Sequence, residues 1–195
     1  VSSKDNVNPG MGWTKIEALE LYGWYTALVY FACIPGGVIA DRILGKKKSV
    51  ALGGLLLCFG HFFLAIQNNF FFFFGISLII FGVGLLKPNI SSLVGTLYSK
   101  NEKRRDQGFT IFYIGINIGA FFASLIVGYV GEFYGWHYGF SLAGFGMVLG
   151  QITYIYGSKY IPEEKLIYPK NKRNVKNHIK FSKIELDRLQ VLAVS

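Results

Sequence analysis

Apolar residues run along this chain in five blocks separated by short polar connections, at about 17–40, 49–66, 70–97, 108–131 and 138–160. A helix needs about 20 apolar residues to cross the hydrocarbon core of a bilayer, and each block approaches or exceeds that length. The connections read DRILGKKK, QNN, YSKNEKRRDQ and EFYGWH. The pattern therefore predicts five transmembrane helices in an all-α, polytopic membrane helix bundle. Residues 1–16 precede the first block as a polar segment, and residues 161–195 follow the last as a basic tail. Within that tail, Phe181, Ile184, Leu189 and Leu192 give FSKIELDRLQVLAV partial amphipathic spacing, which predicts a helical lead-in to further chain.

Composition agrees with a membrane bundle. Charged residues make up 16% of the 195, against roughly 25% in a soluble domain. The 24 glycines and 18 phenylalanines suit close helix packing in lipid. Cys33 and Cys58 both fall in apolar blocks, where free thiols pack as small hydrophobes. The net charge of +9 would fit nucleic acid or an anionic surface, and its placement decides between them. Arg42, Lys46, Lys47 and Lys48 occupy the first connection, Lys100, Lys103, Arg104 and Arg105 the third, and the rest of the basic cluster follows the fifth block. The second and fourth connections hold no Lys or Arg. Alternation of this kind places the basic loops in the cytoplasm and the first segment outside. The basic residues thus mark topology and attraction to the lipid bilayer, and nucleic acid is not an expected partner. A bacterial carrier would begin inside, so one preceding helix is expected; six helices and a basic linker make one half of a two-half carrier. The residue usage points to a bacterial plasma membrane.

Lys87 lies deep in the third block, where an ammonium costs roughly 2.5–3.5 kcal/mol on insertion scales. Pro88 beside it removes a backbone donor. Asp41, Glu17, Glu20 and Glu132 all lie near block ends, so none shares its depth. Its counter-anion must come from elsewhere in the protein or from a substrate. If both compete for one lysine, substrate arrival frees a carboxylate to take a proton, which couples the two.

Other polar positions leave a choice open. Asn117 in the fourth block is either an interhelical hydrogen-bonding group or a substrate contact, and Tyr30 in the first is either packing or a ligand contact. His61 in the second is hydrogen-bonded structure or a proton relay. In GGVIADRILGKKK, Asp41, Arg42, Gly45 and Lys46 are either a topogenic loop or a charge network that latches one conformation. Gly115 with Gly119, and Gly146 with Gly150, have the small-residue spacing of helix packing. His61, His137 and His178 form no metal cluster in the sequence, and no nucleophile–base pair suggests an enzyme.

Three runs resemble the signatures of the proton-dependent oligopeptide transporter family of the major facilitator superfamily. They are KPNISSLVGTLY (87–98), FTIFYIGINIGAFF (109–122) and GWHYGF (135–140). GGVIADRILGKKK resembles the superfamily's loop between its second and third helices, with one extra residue between Arg42 and Gly45. The resemblance implies a proton symporter of small peptides, with the proton as coupling ion and no cofactor. It implies that the five blocks are helices two to six of a twelve-helix fold. Lys87 would then receive the peptide carboxylate, Tyr30 would line the pocket, and Asn117 would contact the peptide backbone or amine. A first helix carrying Glu-x-x-Glu-Arg and a second six-helix half would complete the protein. Gly23 stands where mammalian relatives carry a histidine, which implies coupling without that residue. Glu17 and Glu20 do not form the Glu-x-x-Glu-Arg motif. A carrier of another small anion such as nitrate, or a channel with Lys87 as selectivity charge, are the competing readings.

Overall fold

A computed structural model describes residues 12–98 and 104–161. The predicted outer segment up to Met11, Lys100, Lys103, His178, the basic linker and its lead-in helix lie outside the described residues. Five α-helices follow one another: α1 (Lys15–Ile39), α2 (Lys46–Leu64), α3 (Asn69–Thr96), α4 (Arg104–Tyr134) and α5 (Trp136–Ser158). Between α1 and α2 the chain makes a wider π-helical turn, Ala40–Leu44.

Local chemistry sets the helix ends. Thr14 caps α1: its hydroxyl oxygen accepts from the Glu17 N–H at 3.3 Å, while its own N–H donates to the Glu17 carboxylate at 2.8 Å. That reciprocal pair is a capping box, which gives Glu17 a structural task at the helix start. Asn68 caps α3 by accepting from the Phe70 N–H at 2.8 Å. Gly45 closes the π turn, its N–H donating to the Ala40 carbonyl at 2.8 Å. Its φ of 79° and ψ of 149° lie in a region that side chains strain to enter, so a glycine is required there.

Helices α1 to α4 are long and apolar enough to cross a membrane. At 23 residues α5 has the length, but His137, Gln151 and several tyrosines and glycines dilute its hydropathy. Helix α4 begins at Arg104, inside the basic connection and ahead of the apolar block. Helix α3 is the centre of the bundle. It packs closely along α2 and α1 and meets α4 sparsely, while α5 joins α2 and α4 on the far side.

Close backbone approach, not side-chain volume, sets the two tightest contacts. On α2, Gly53 and Gly60 stand two turns apart, and Gly82 and Gly75 of α3 face them in antiparallel order. A Cβ on Gly53 would stand 2.7 Å from the Gly82 carbonyl oxygen, and one on Gly75 would stand 2.8 Å from that of Gly60. Helix α1 crosses α3 at Gly36 and Gly84: a Cβ on Gly84 would stand 2.7 Å from the Ala32 oxygen, and one on Gly36 would overlap the Gly84 oxygen. The packing glycines read from spacing are not these. Among the described residues, a Cβ at Gly115, Gly119, Gly146 or Gly150 meets nothing within 4 Å. Spacing of small residues identifies a smooth helix face; which face meets a neighbour depends on how the helices cross.

Polar groups tie the antiparallel pair α2 and α5 along its length. At the basic end the Lys47 ammonium donates to the Ile161 carbonyl at 2.8 Å, and the Tyr154 hydroxyl donates to the Lys47 carbonyl at 3.0 Å. At the opposite end the Gln67 amide nitrogen and His137 Nδ1 are 2.8 Å apart. Between them the buried Gln151 donates through Nε2 to the Ala51 carbonyl at 2.8 Å. Its Oε1 occupies the space that a Cβ on Gly54 would need. Gly54→Ala should therefore evict this amide at a cost of about 1–3 kcal/mol for overpacking. Gln151→Ala should cost about 0.6 kcal/mol, the mean for an interhelical bond in a membrane. Thermal unfolding of the complete protein in detergent checks the coupling: Gly54→Ala should cost less in the Gln151→Ala background. Equal melting shifts in both backgrounds would refute it.

Candidate functional site

Lys87 and Tyr30 come together in the structure. The Lys87 ammonium lies 4.3 Å from the centre of the Tyr30 ring, within the reach of a cation–π contact worth about 0.5–2 kcal/mol, more as the pair is desolvated. Both residues sit on an open face of the bundle. Among the described residues Lys87 has no carboxylate partner, so the phenol ring is the group that meets its charge.

Two helix irregularities surround this pair. Pro35 interrupts α1 and Pro88 interrupts α3. A proline withholds its N–H from the carbonyl four residues earlier, so Pro88 leaves the Gly84 carbonyl without its helical donor. That same oxygen is the one against Gly36, at the crossing of α1 and α3. Asn89 spans the crossing. Its side-chain nitrogen donates to the Leu85 carbonyl at 2.7 Å and to the Gly36 carbonyl of α1 at 3.4 Å, and at 2% exposure it is hidden from solvent. Tyr30 and Lys87 are thus carried by two helices held together at a crossing about one turn from Lys87 and nearly two from Tyr30.

The remaining candidates are placed apart from this pair. Asn117 lies exposed on α4 with its amide donating to the Tyr113 carbonyl at 2.8 Å, a bond within its own helix. It touches neither Lys87 nor Tyr30. His61 binds within its own helix too: Nδ1 stands 2.7 Å from the Leu57 carbonyl, which can only accept, so that nitrogen carries the proton. Asp41 and Arg42 lie in the π turn, Gly45 closes it and Lys46 begins α2. Arg42 and Lys46 both have interaction partners. No group of three or more metal-ligating side chains occurs among the described residues.

Two polar positions escaped the sequence reading, Asn89 and Gln151. Each is an amide in an apolar helix, the same signal that singled out Asn117, and each proves buried and hydrogen-bonded between helices.

Long apolar helices, two of them proline-interrupted and bringing a cation onto a phenol, define a polytopic membrane helix bundle. Within that class, residues 47–187 match the model of the POT family, and the chain belongs to it. It is 48% identical over 158 residues to a di-/tripeptide transporter of Lactococcus lactis, covering 80% of this chain and 32% of the relative. Among solved structures it resembles a peptide transporter POT in complex with sulfate, with a TM-score of 0.79, 39% identity, and coverage of 95% of this chain and 36% of that one. A POT family transporter in complex with 5-aminolevulinic acid is similar at a TM-score of 0.77 and 35% identity, covering 95% of this chain and 37% of that one. The chain thus spans about a third of the length of these relatives. It is a multi-pass membrane protein, and placement in a bacterial plasma membrane agrees with these relatives.

Proposed function

We propose that this chain is the part of a proton-coupled symporter of di- and tripeptides that carries the carboxylate site, working by alternating access. The observation that carries the reading is Lys87 on the Tyr30 ring, a membrane-depth cation with no acidic partner among the described residues. A free peptide carboxylate supplies the missing charge. Relatives named as di-/tripeptide transporters, and a relative that binds 5-aminolevulinic acid, support a ligand bearing a carboxylate and an amine. In this reading α1 to α5 are helices two to six of a twelve-helix major facilitator fold. A first helix with a Glu-x-x-Glu-Arg motif would share Lys87 with the substrate, and the second half would supply the group for the peptide amine. Tyr30 lines the pocket, and Asn117 reaches the peptide from α4 once the facing helices enclose it. Asp41, Arg42, Gly45 and Lys46 form the latch at the basic end, which the positive-inside rule puts in the cytoplasm.

Uptake of labelled dialanine by the complete protein in proteoliposomes tests this. An inward proton gradient should drive saturable accumulation, with countertransport in its absence. Uptake indifferent to the gradient, or without saturation, would overturn the reading in favour of another carrier or a channel.

A further inference from the structure

The basic end of the bundle holds a second cation, half-buried, that this cycle leaves unused. Arg105, in the first turn of α4, lies against α3 at Gly95, where an added Cβ would stand 3.4 Å from its terminal nitrogen. Its guanidinium carbon is 5.9 Å from the centre of the Phe109 ring. Nε is sealed from solvent and has no hydrogen-bond partner. No carboxylate among the described residues forms an ion pair with it, and the neighbouring Asp106 is exposed. Beside it opens a cavity of about 460 Å³, to which Ser91, Ser92, Thr96 and Tyr98 bring hydroxyl groups. The Thr96 hydroxyl is committed to the Leu93 carbonyl at 2.7 Å, which leaves those of Ser91, Ser92 and Tyr98.

The cavity is in line with the Lys87 site. Lys87, Ser91 and Gly95 recur at every fourth position of α3 and so share one side of that helix. From Lys87 to Gly95 the helix rises roughly 12 Å, at 1.5 Å per residue. A guanidinium is always charged, weakly hydrated and shaped to hold a carboxylate through two parallel N–H bonds. Held partly out of water beside hydroxyls, it is incomplete without an anion.

We propose that the Arg105 cavity is a second carboxylate site, which takes the C-terminal carboxylate of the peptide on the cytoplasmic side after it leaves Lys87. This rests on the peptide-transport reading and adds a step to it. A single strong cation would trap the carboxylate; two stations on one helix face let it move on, as multi-site binding does in conducting pores.

The test is dialanine counterflow through the complete transporter in oriented proteoliposomes, with substrate presented from each face. Arg105→Gln should raise the half-saturating concentration at the cytoplasmic face about tenfold, the loss of one charge-assisted contact. At the outer face it should change less than about twofold, within the scatter expected of a site not engaged from that side. Arg105→Lys should restore most of the cytoplasmic affinity, and C-terminally amidated dialanine should not distinguish Arg105→Gln from wild type. Gly95→Val keeps the charge but fills the cavity, and should give the same one-sided shift if Arg105→Gln does not fold. An unchanged cytoplasmic value, equal shifts at both faces, or a shift shared by the amide would overturn the second site alone. Absence of dialanine counterflow in the wild type would overturn the transport reading and this site together.

Discussion

Proton-driven dialanine uptake should fall to background when Lys87 is replaced by Gln in the complete transporter. Glutamine keeps much of the length and loses the charge, so it can neither hold a peptide carboxylate nor exchange it for one from the protein. Breaking one side of a desolvated charge pair costs about 3–5 kcal/mol, a loss of more than about a hundredfold in the affinity that drives the cycle. Tyr30→Phe should do much less, because the ring that faces the ammonium at 4.3 Å is retained. Gradient-driven uptake by Lys87→Gln at the wild-type rate would remove Lys87 from the mechanism.

Gly36→Ala should be the most damaging small substitution in the bundle. The added methyl would occupy the position of the Gly84 carbonyl oxygen, and a backbone atom in a helix cannot rotate away as a side chain would. Helices α1 and α3 would have to part, and the Asn89 bond to the Gly36 carbonyl, already 3.4 Å long, would be the first to break. A cost at or above the roughly 1–3 kcal/mol of ordinary overpacking follows, together with loss of the Lys87–Tyr30 geometry. Thermal unfolding in detergent and dialanine uptake should both register it. Wild-type melting would show that the crossing is looser than the structure places it.

What the sequence made legible, and what it hid, divides along one line. Helical segments can be read from composition, because crossing lipid demands length and apolarity whatever the neighbours are. Lys87 could be read too, since its depth alone made it costly. Orientation about each helix axis could not. Gly115 and Gly119 have the spacing of a packing face yet meet nothing among the described residues, while Ala32 and Gly36, with that same spacing, both meet Gly84. Asn117 drew attention as an amide in an apolar block, but Asn89 and Gln151 are the amides that bridge helices. Nothing in one strand of text says which side of a helix another will touch. Lys87 and Tyr30 lie on separate helices, and their contact depends on the α1–α3 crossing.

That crossing also bears on motion. Because Pro88 already withholds its donor, bending α3 between Gly84 and Pro88 breaks no hydrogen bond at that carbonyl. The obstacle to such bending is the sliding of one glycine surface past another, with the Asn89 amide free to follow either carbonyl. The half of α3 beyond the proline can therefore tilt like a door on a greased pin, with Lys87 seated at the hinge itself.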